Sequence, residues 1–292
     1  MFPAPPAPAF PADQAVTSEG ALRYEDCVQD GRMIPIAMPP SMSGLWRTVL
    51  AKHPGQRNAL AAGVIPILTR MTIQSFDQPI RIDRPIETRG GFLLAHDKEG
   101  DDVKRLFMNV WTEVHGIAGR IGPRQVDGAL SPAGTLFAEH TFTKLFAPPD
   151  QRKVTALEFD GYPRIPETHY PAPSPRTAAD VPAGGTWLDD LSIDPVDIVF
   201  SLDQTDANQH VNSLVYIRTF LDAAQRRLAA SGRPLKLRSK AVDIAYRKPC
   251  FAGERVHIEL RQFSLGECLG AAGVISGDDD KPRCYVRVLF AP

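Results

Sequence analysis

The stretch Asp206-Ala207-Asn208-Gln209-His210-Val211-Asn212-Ser213-Leu214-Val215-Tyr216 gathers a carboxylate, carboxamides, an imidazole and a phenol into a short span. An apolar, strand-like run, Val196 to Leu202, lies before it, and apolar residues recur at helical spacing after it. The polar group therefore falls where a strand hands over to a helix. Backbone N–H groups at a helix start lack intrahelical partners and carry the positive end of the helix dipole. Asp206 suits a general base or nucleophile, and Asn208 suits orienting a water or a carbonyl. His210 can take or give a proton near neutral pH. The N–H groups of Val211 to Ser213 would stabilise a developing oxyanion if the helix begins there. This is equipment for polarising and attacking a carbonyl. The same residues have bland uses: Asp206 and Asn208 also make good caps and turns, and Tyr216 suits helix packing.

The elements that would position this group follow from periodicity. The spacing predicts a helix over Val211–Ala230, with Leu214, Val215, Leu221, Ala224 and Leu228 on or near one face, stopped by Gly232 and Pro234. Strands are expected over Leu237–Tyr246, Glu254–Phe263, Glu267–Ser276 and Arg283–Phe290, with turns at Gly253, Gly266 and Gly277-Asp278. The first half repeats this order. Ser41 or Ser43 would cap a helix through Leu45, Trp46, Val49 and Leu50, ended or interrupted by Pro54-Gly55. Strands are then expected around Met71–Ile73, Ile80–Ile86 and Phe92–Leu94, over Leu106–Val114 and over Gly134–Phe146, with a loop at Gly119–Pro132. Leu68-Thr69-Arg70 leading to Ile82 resembles Leu237-Arg238-Ser239 leading to Phe251. The fold class is α+β, with two similar units forming a pseudo-dimer within one chain. The boundaries are a disordered proline-rich leader at residues 1–20, a first unit at 21–150, a proline-rich crossing at 151–186 and a second unit at 187–292.

Composition narrows the function classes. Hydrophobic residues make up 43% of 292, enough for a substantial core, and the net charge of −1 argues against a general nucleic-acid partner. Four widely spaced cysteines without a CxxC pair suggest reduced thiols and a cytoplasmic setting. No membrane span, zinc spacing, glycine-rich phosphate loop or Gly-x-Ser-x-Gly elbow is legible, and no metal or cofactor is expected. Between Val211 and Cys250, Arg218, Arg226, Arg227, Arg233, Lys236, Arg238, Lys240, Arg247 and Lys248 face only Asp222 and Asp243. Such a surface would suit acidic or phosphorylated partners. Glu113 with His115, and Glu139 with His140, are further acid–imidazole neighbours on expected strands.

The first motif resembles the signature of acyl-ACP thioesterases in the hotdog superfamily, Asp-x-Asn-x-His-Val-Asn-Asn followed by a tyrosine. Tyr246-Arg247-Lys248-Pro249-Cys250 is similar to that family's Tyr-Arg-Arg-Glu-Cys. The resemblance covers about the last hundred residues; the first half shares element order only. It implies a tandem (double) hotdog, each half a long helix wrapped by an antiparallel β-sheet. It also implies hydrolysis of fatty acyl-ACP or acyl-CoA thioesters to free acid and thiol. Carried over by position, Asp206, Asn208 and His210 form the catalytic group with Cys250. Asn212, Ser213, Tyr216, Arg247 and Lys248 are then substrate-binding. Cys250 stays open between nucleophile and ordinary buried thiol. Three departures matter: Ser213 replaces the motif's second Asn, Pro249 replaces the acid before the cysteine, and the first half has no copy of the motif. One active site per chain follows. Two other outcomes fit the same fold. One is a hydro-lyase on a hydroxyacyl thioester, drawing on His115 or His140; the other is an acyl-binding protein without activity. Two chains could also form a homodimer.

Overall fold

Long runs of β-branched and aromatic residues favour strands, and the computed structural model, which describes residues 2–121 and 127–292, is dominated by them. The elements in chain order are β1 (Ala15–Gly20), α1 (Ser43–Leu45), α2 (Pro54–Ala61), β2 (Ile65–Ser75), β3 (Ile86–Glu99), β4 (Asp102–Ile117) and β5 (Leu130–Thr143). After the crossing come β6 (Thr186–Trp187), β7 (Ser192–Ile193), β8 (Ile198–Val199), α3 (Ser213–Ala230), β9 (Arg238–Tyr246), β10 (Arg255–Leu265), β11 (Cys268–Gly277) and β12 (Pro282–Ala291). The described residues form one twelve-stranded antiparallel sheet in the order β1-β3-β4-β5-β2-β9-β12-β11-β10-β6, with β7 and β8 also on β10. Read outward from the centre, β2-β5-β4-β3 matches β9-β12-β11-β10. The two halves therefore share one topology and meet where β2 pairs with β9. That seam pairs Arg70 with Ala245, Thr72 with Asp243 and Gln74 with Ala241.

The long helix α3 lies on the inner face, packed on β10, β11 and β12, and buries Tyr216, Ile217, Phe220, Ala223, Ala224 and Leu228. Each large apolar side chain so buried contributes about 1.5–3 kcal/mol. The first half differs from expectation. Its chain makes a 3₁₀ turn at Pro39–Met42, the single turn α1, a wide π-type turn at Trp46–Leu50, and then the separate helix α2. Pro54 opens that helix rather than ending one. It stands at the first helical position, where its missing N–H costs nothing, and the His53 side chain accepts the Gly55 N–H at 3.2 Å. Among the described residues a long helix is thus confined to the second half. The strand expected over Val196–Leu202 shrinks to β8, and the leading turns of α3 begin at Ser213 rather than Val211. Of the loop expected at Gly119–Pro132, residues 122–126 lie outside the described residues.

The outer face is covered as well. The leader, expected to be disordered, packs along it. Phe2 is 2% exposed among Ala241, Phe263, Ala272 and Leu289, and its carbonyl accepts from Gln74 Nε2 at 2.7 Å. Trp111 Nε1 donates to the Pro5 carbonyl at 2.9 Å, and residues 15–20 form the edge strand β1 on β3. The crossing lies over the seam. There Arg70 and Arg287 both bond the fully buried Asp243 carboxylate, Arg70 Nη1 also reaches Thr177 Oγ1, and Arg287 Nη1 reaches the Asp180 carbonyl. Covering both faces explains why Leu106–Thr112 of β4 is buried continuously and shows no period-2 alternation.

Candidate active site

The Asp206–His210 segment folds into a closed turn. Thr205 and Val211 form an isolated antiparallel bridge. Across it the Asp206 N–H donates to the His210 carbonyl and the Gln209 N–H donates to the Asp206 carbonyl, each at 2.9 Å. Asp206 Oδ1 accepts the Asn208 N–H at 2.8 Å, which fixes the carboxylate's orientation, while Oδ2 has no partner among the described residues. Gln209 sits at φ 61°, a left-handed conformation that a side chain adopts only under local constraint.

Asn212 caps α3: its Oδ1 accepts the Leu214 N–H at 3.0 Å and its carbonyl accepts the Val215 N–H at 2.9 Å. The donors expected from Val211 to Ser213 are therefore mostly committed. Val211 N–H donates to the Cys250 carbonyl and Asn212 N–H to the Gln204 carbonyl, each at 2.9 Å. Ser213 N–H has no partner among the described residues, and it is the donor left at the helix start.

Cys250 crosses beneath this turn. Its N–H donates to the Tyr216 hydroxyl oxygen at 2.7 Å, so its backbone is held from both sides by the motif segment. The thiol is fully buried. Burial pushes it up; a hydrogen bond with Tyr216 acts the other way, and the nearby Glu254 carboxylate adds to the rise. Burial likewise holds the Tyr216 phenol well above its usual range, next to Cys250. The His210 ring packs edge-on against Phe251 at 5.0 Å between centroids. Tyr246 donates its hydroxyl to the Ser213 carbonyl at 3.1 Å and packs at right angles to Tyr216.

Thus Asp206, Asn208, His210, Asn212 and Ser213 share one turn and helix start, with Tyr216 and Cys250 supporting them. Arg247 and Lys248 are exposed on the loop that leads from β9 to Cys250. Arg247 N–H donates to the Arg283 carbonyl at 2.8 Å, and Lys248 Nζ reaches Asp279 at 3.3 Å. The expected basic surface is neutralised at five of its nine cations. Arg226 pairs with Asp194, Arg227 with Asp189, Arg238 and Lys240 with Asp77, and Lys248 with Asp279. Arg218, Arg233, Lys236 and Arg247 have no carboxylate partner among the described residues.

The other acid–imidazole neighbours do not join the motif. His115 Nε2 lies 3.6 Å from Glu113. His140 is buried against Trp46, and burial lowers its pKa to about 4. Glu139 accepts from Thr69 and Tyr170 on the opposite side of the strand. Two supporting residues went unnoticed in the sequence. Gln204 accepts the Asn212 N–H through its backbone, which no side-chain pattern announces. Glu254, whose Oε2 is buried without a partner, approaches Cys250 only because a turn at Phe251–Glu254 folds it back.

No family model matches this chain, and no curated protein sequence matches it. Solved structures do. An acyl-ACP thioesterase from Bacteroides thetaiotaomicron aligns over 95% of this chain and 98% of its own, with TM-score 0.59 and 14% identity. The 12:0-ACP thioesterase from Umbellularia californica aligns over 97% and 99%, with TM-score 0.58 and 12% identity. The fold is that of the acyl-ACP thioesterases. The match runs through both halves, including the first, where the sequence resembles that family in element order alone.

Proposed function

We propose that this protein is a thioester hydrolase acting on fatty acyl-ACP or acyl-CoA thioesters, built as a tandem hotdog with one active site in its second half. What carries this is the coincidence of a thioesterase fold over nearly the whole chain with the Asp206–His210 turn at the start of α3. Asp206 Oδ2 takes a proton from a water held with Asn208, and the resulting hydroxide bonds to the thioester carbon. The oxyanion is stabilised by Ser213 N–H and the positive end of α3. The tetrahedral intermediate then breaks its C–S bond, and the thiolate leaves with a proton relayed through His210. Attack by water suits Asp206 better than attack by Cys250. The thiol is buried, shifted up and has Tyr216 rather than an imidazole at its side, whereas reactive cysteines need an exposed, stabilised thiolate. Cys250 then acts through its backbone, aligning the turn with the helix.

Thiol release from a panel of acyl-CoA and acyl-ACP thioesters of graded chain length tests this. Turnover with a chain-length optimum is expected. Absence of turnover on every member, with the thioester retained intact, would instead mark an acyl-binding protein.

A further inference from the structure

The leader does not lie flush on the sheet. Between it and the outer face of the first half runs a trough of about 630 Å³, within the range of small-molecule pockets, roughly 300–1,000 Å³. Its roof is Phe2 to Ala7 with Phe10; its floor includes Trp111, Thr135 and Phe137. Pockets with mostly apolar walls accept apolar guests. The roof has a reason not to settle further. Pro3, Pro5 and Pro6 have no N–H to offer a strand, so this first part of the leader, unlike residues 15–20, does not join the sheet. It is hung from discrete points: the Phe2 carbonyl on Gln74, the Pro5 carbonyl on Trp111, and Phe10 packed 5.9 Å from the Trp111 ring. The Phe10 anchor is close-fitting, since a Cβ on Gly91 would stand 2.5 Å from Phe10 Cγ.

One side of the trough is polar. Arg89 and Glu113 line it as cross-strand neighbours, and Arg89 Nε also donates to Glu87. Their charges offset one another, so this side offers hydrogen-bonding groups without a net positive field. A mostly apolar lining with one polar side matches an apolar ligand that carries a single polar end. The trough is on the opposite face of the sheet from α3 and the Asp206 turn. We propose that it is a second binding site, for a single unbranched fatty chain, with the leader as its roof.

The test uses the full chain, with dodecanoate and 1-dodecanol as probes, each below its aggregation limit. Calorimetry and Trp111 emission report binding, and the two probes separate an acid end from a neutral one. Saturable binding is expected for at least one probe, with an emission change that disappears in Trp111→Phe. Filling the floor by Thr135→Phe, or the roof by Ala7→Phe, should weaken that binding about tenfold or more at an unchanged melting temperature. Both filling variants lie across the sheet from Asp206, so weakening by them separates the trough from the site in the second half. Saturable binding that ignores both filling variants, or no Trp111-dependent response to either probe, would overturn the proposal. The trough does not depend on the thioesterase assignment, because neither outcome uses turnover.

Discussion

The backbone N–H of Cys250 and the hydroxyl oxygen of Tyr216 meet at 2.7 Å, both buried, one from the loop after β9 and the other from the first turn of α3. This bond ties the second landmark of the sequence to the first. With the Val211–Cys250 bond it holds the Asp206 turn against the helix start. Replacing Tyr216 by Phe leaves the Cys250 N–H buried and unpaired, which should cost about 1–3 kcal/mol. Chemical denaturation would measure that loss. A change within about 0.5 kcal/mol would mean that the bond does not support the site.

Cys250→Ala keeps the backbone bonds and removes only the thiol. If water is the nucleophile, thiol release should fall by less than about tenfold, about the effect of a 1.4 kcal/mol disturbance. Loss of several orders of magnitude, with the fold intact, would restore the cysteine as nucleophile. Native Cys250 should also resist alkylation at neutral pH, because burial raises its pKa.

Asp206→Asn and His210→Ala remove the proposed base and proton relay. Each should lower kcat by about 10²–10⁴-fold, the range typical of general acid–base groups. Circular dichroism and melting should match the parent, since Asp206 and His210 are only partly buried. Turnover that survives in both variants would move the chemistry elsewhere.

Asp243 is fully buried between Arg70 and Arg287 at the seam of the two halves. Asp243→Asn leaves two guanidinium groups without their counter-charge, and should cost about 3–5 kcal/mol. Thermal melting of the variant reads this directly. A melting point equal to the parent's would show that the crossing and the β2–β9 pairing suffice alone.

His140 links stability to pH. Burial lowers its pKa from 6.5 to about 4, so the folded protein holds it neutral. Between these values the unfolded chain binds the proton more readily, and stability falls as pH falls. The contribution is fully present above 6.5 and lost toward about 4. His53, also lowered by burial, acts in the same direction. At 1.36 kcal/mol per unit, the His140 effect approaches about 3 kcal/mol. His140→Gln should flatten the denaturation free energy across this window. An unchanged slope would show that other groups control it.

The motif's local geometry was legible because it is local. Asp206 and Asn208 make the turn, Asn212 caps α3, and the apolar spacing after it produces one buried helix face; each depends on residues a few positions apart. The strands β9 to β12 were equally readable from runs bounded by glycine turns. The likeness of Leu68–Ile82 to Leu237–Phe251 also had a structural meaning, since these stretches hold the parts of β2 and β9 that pair at the centre. What tertiary structure alone decided were contacts between distant parts of the chain. Phe2 leaves solvent because the outer sheet face offers Phe263 and Leu289 to cover, which nothing in a proline-rich leader announces. The nine cations between Val211 and Cys250 looked like an open basic face, yet Asp77, Asp189, Asp194 and Asp279 arrive from elsewhere and pair with five of them. The reach of the Cys250 thiol was decided in the same way: Tyr216 and Glu254 enclose it only once helix, loop and sheet are assembled. Sequence spacing specifies what neighbouring residues can do; packing specifies which of them water, substrate and distant charges can reach.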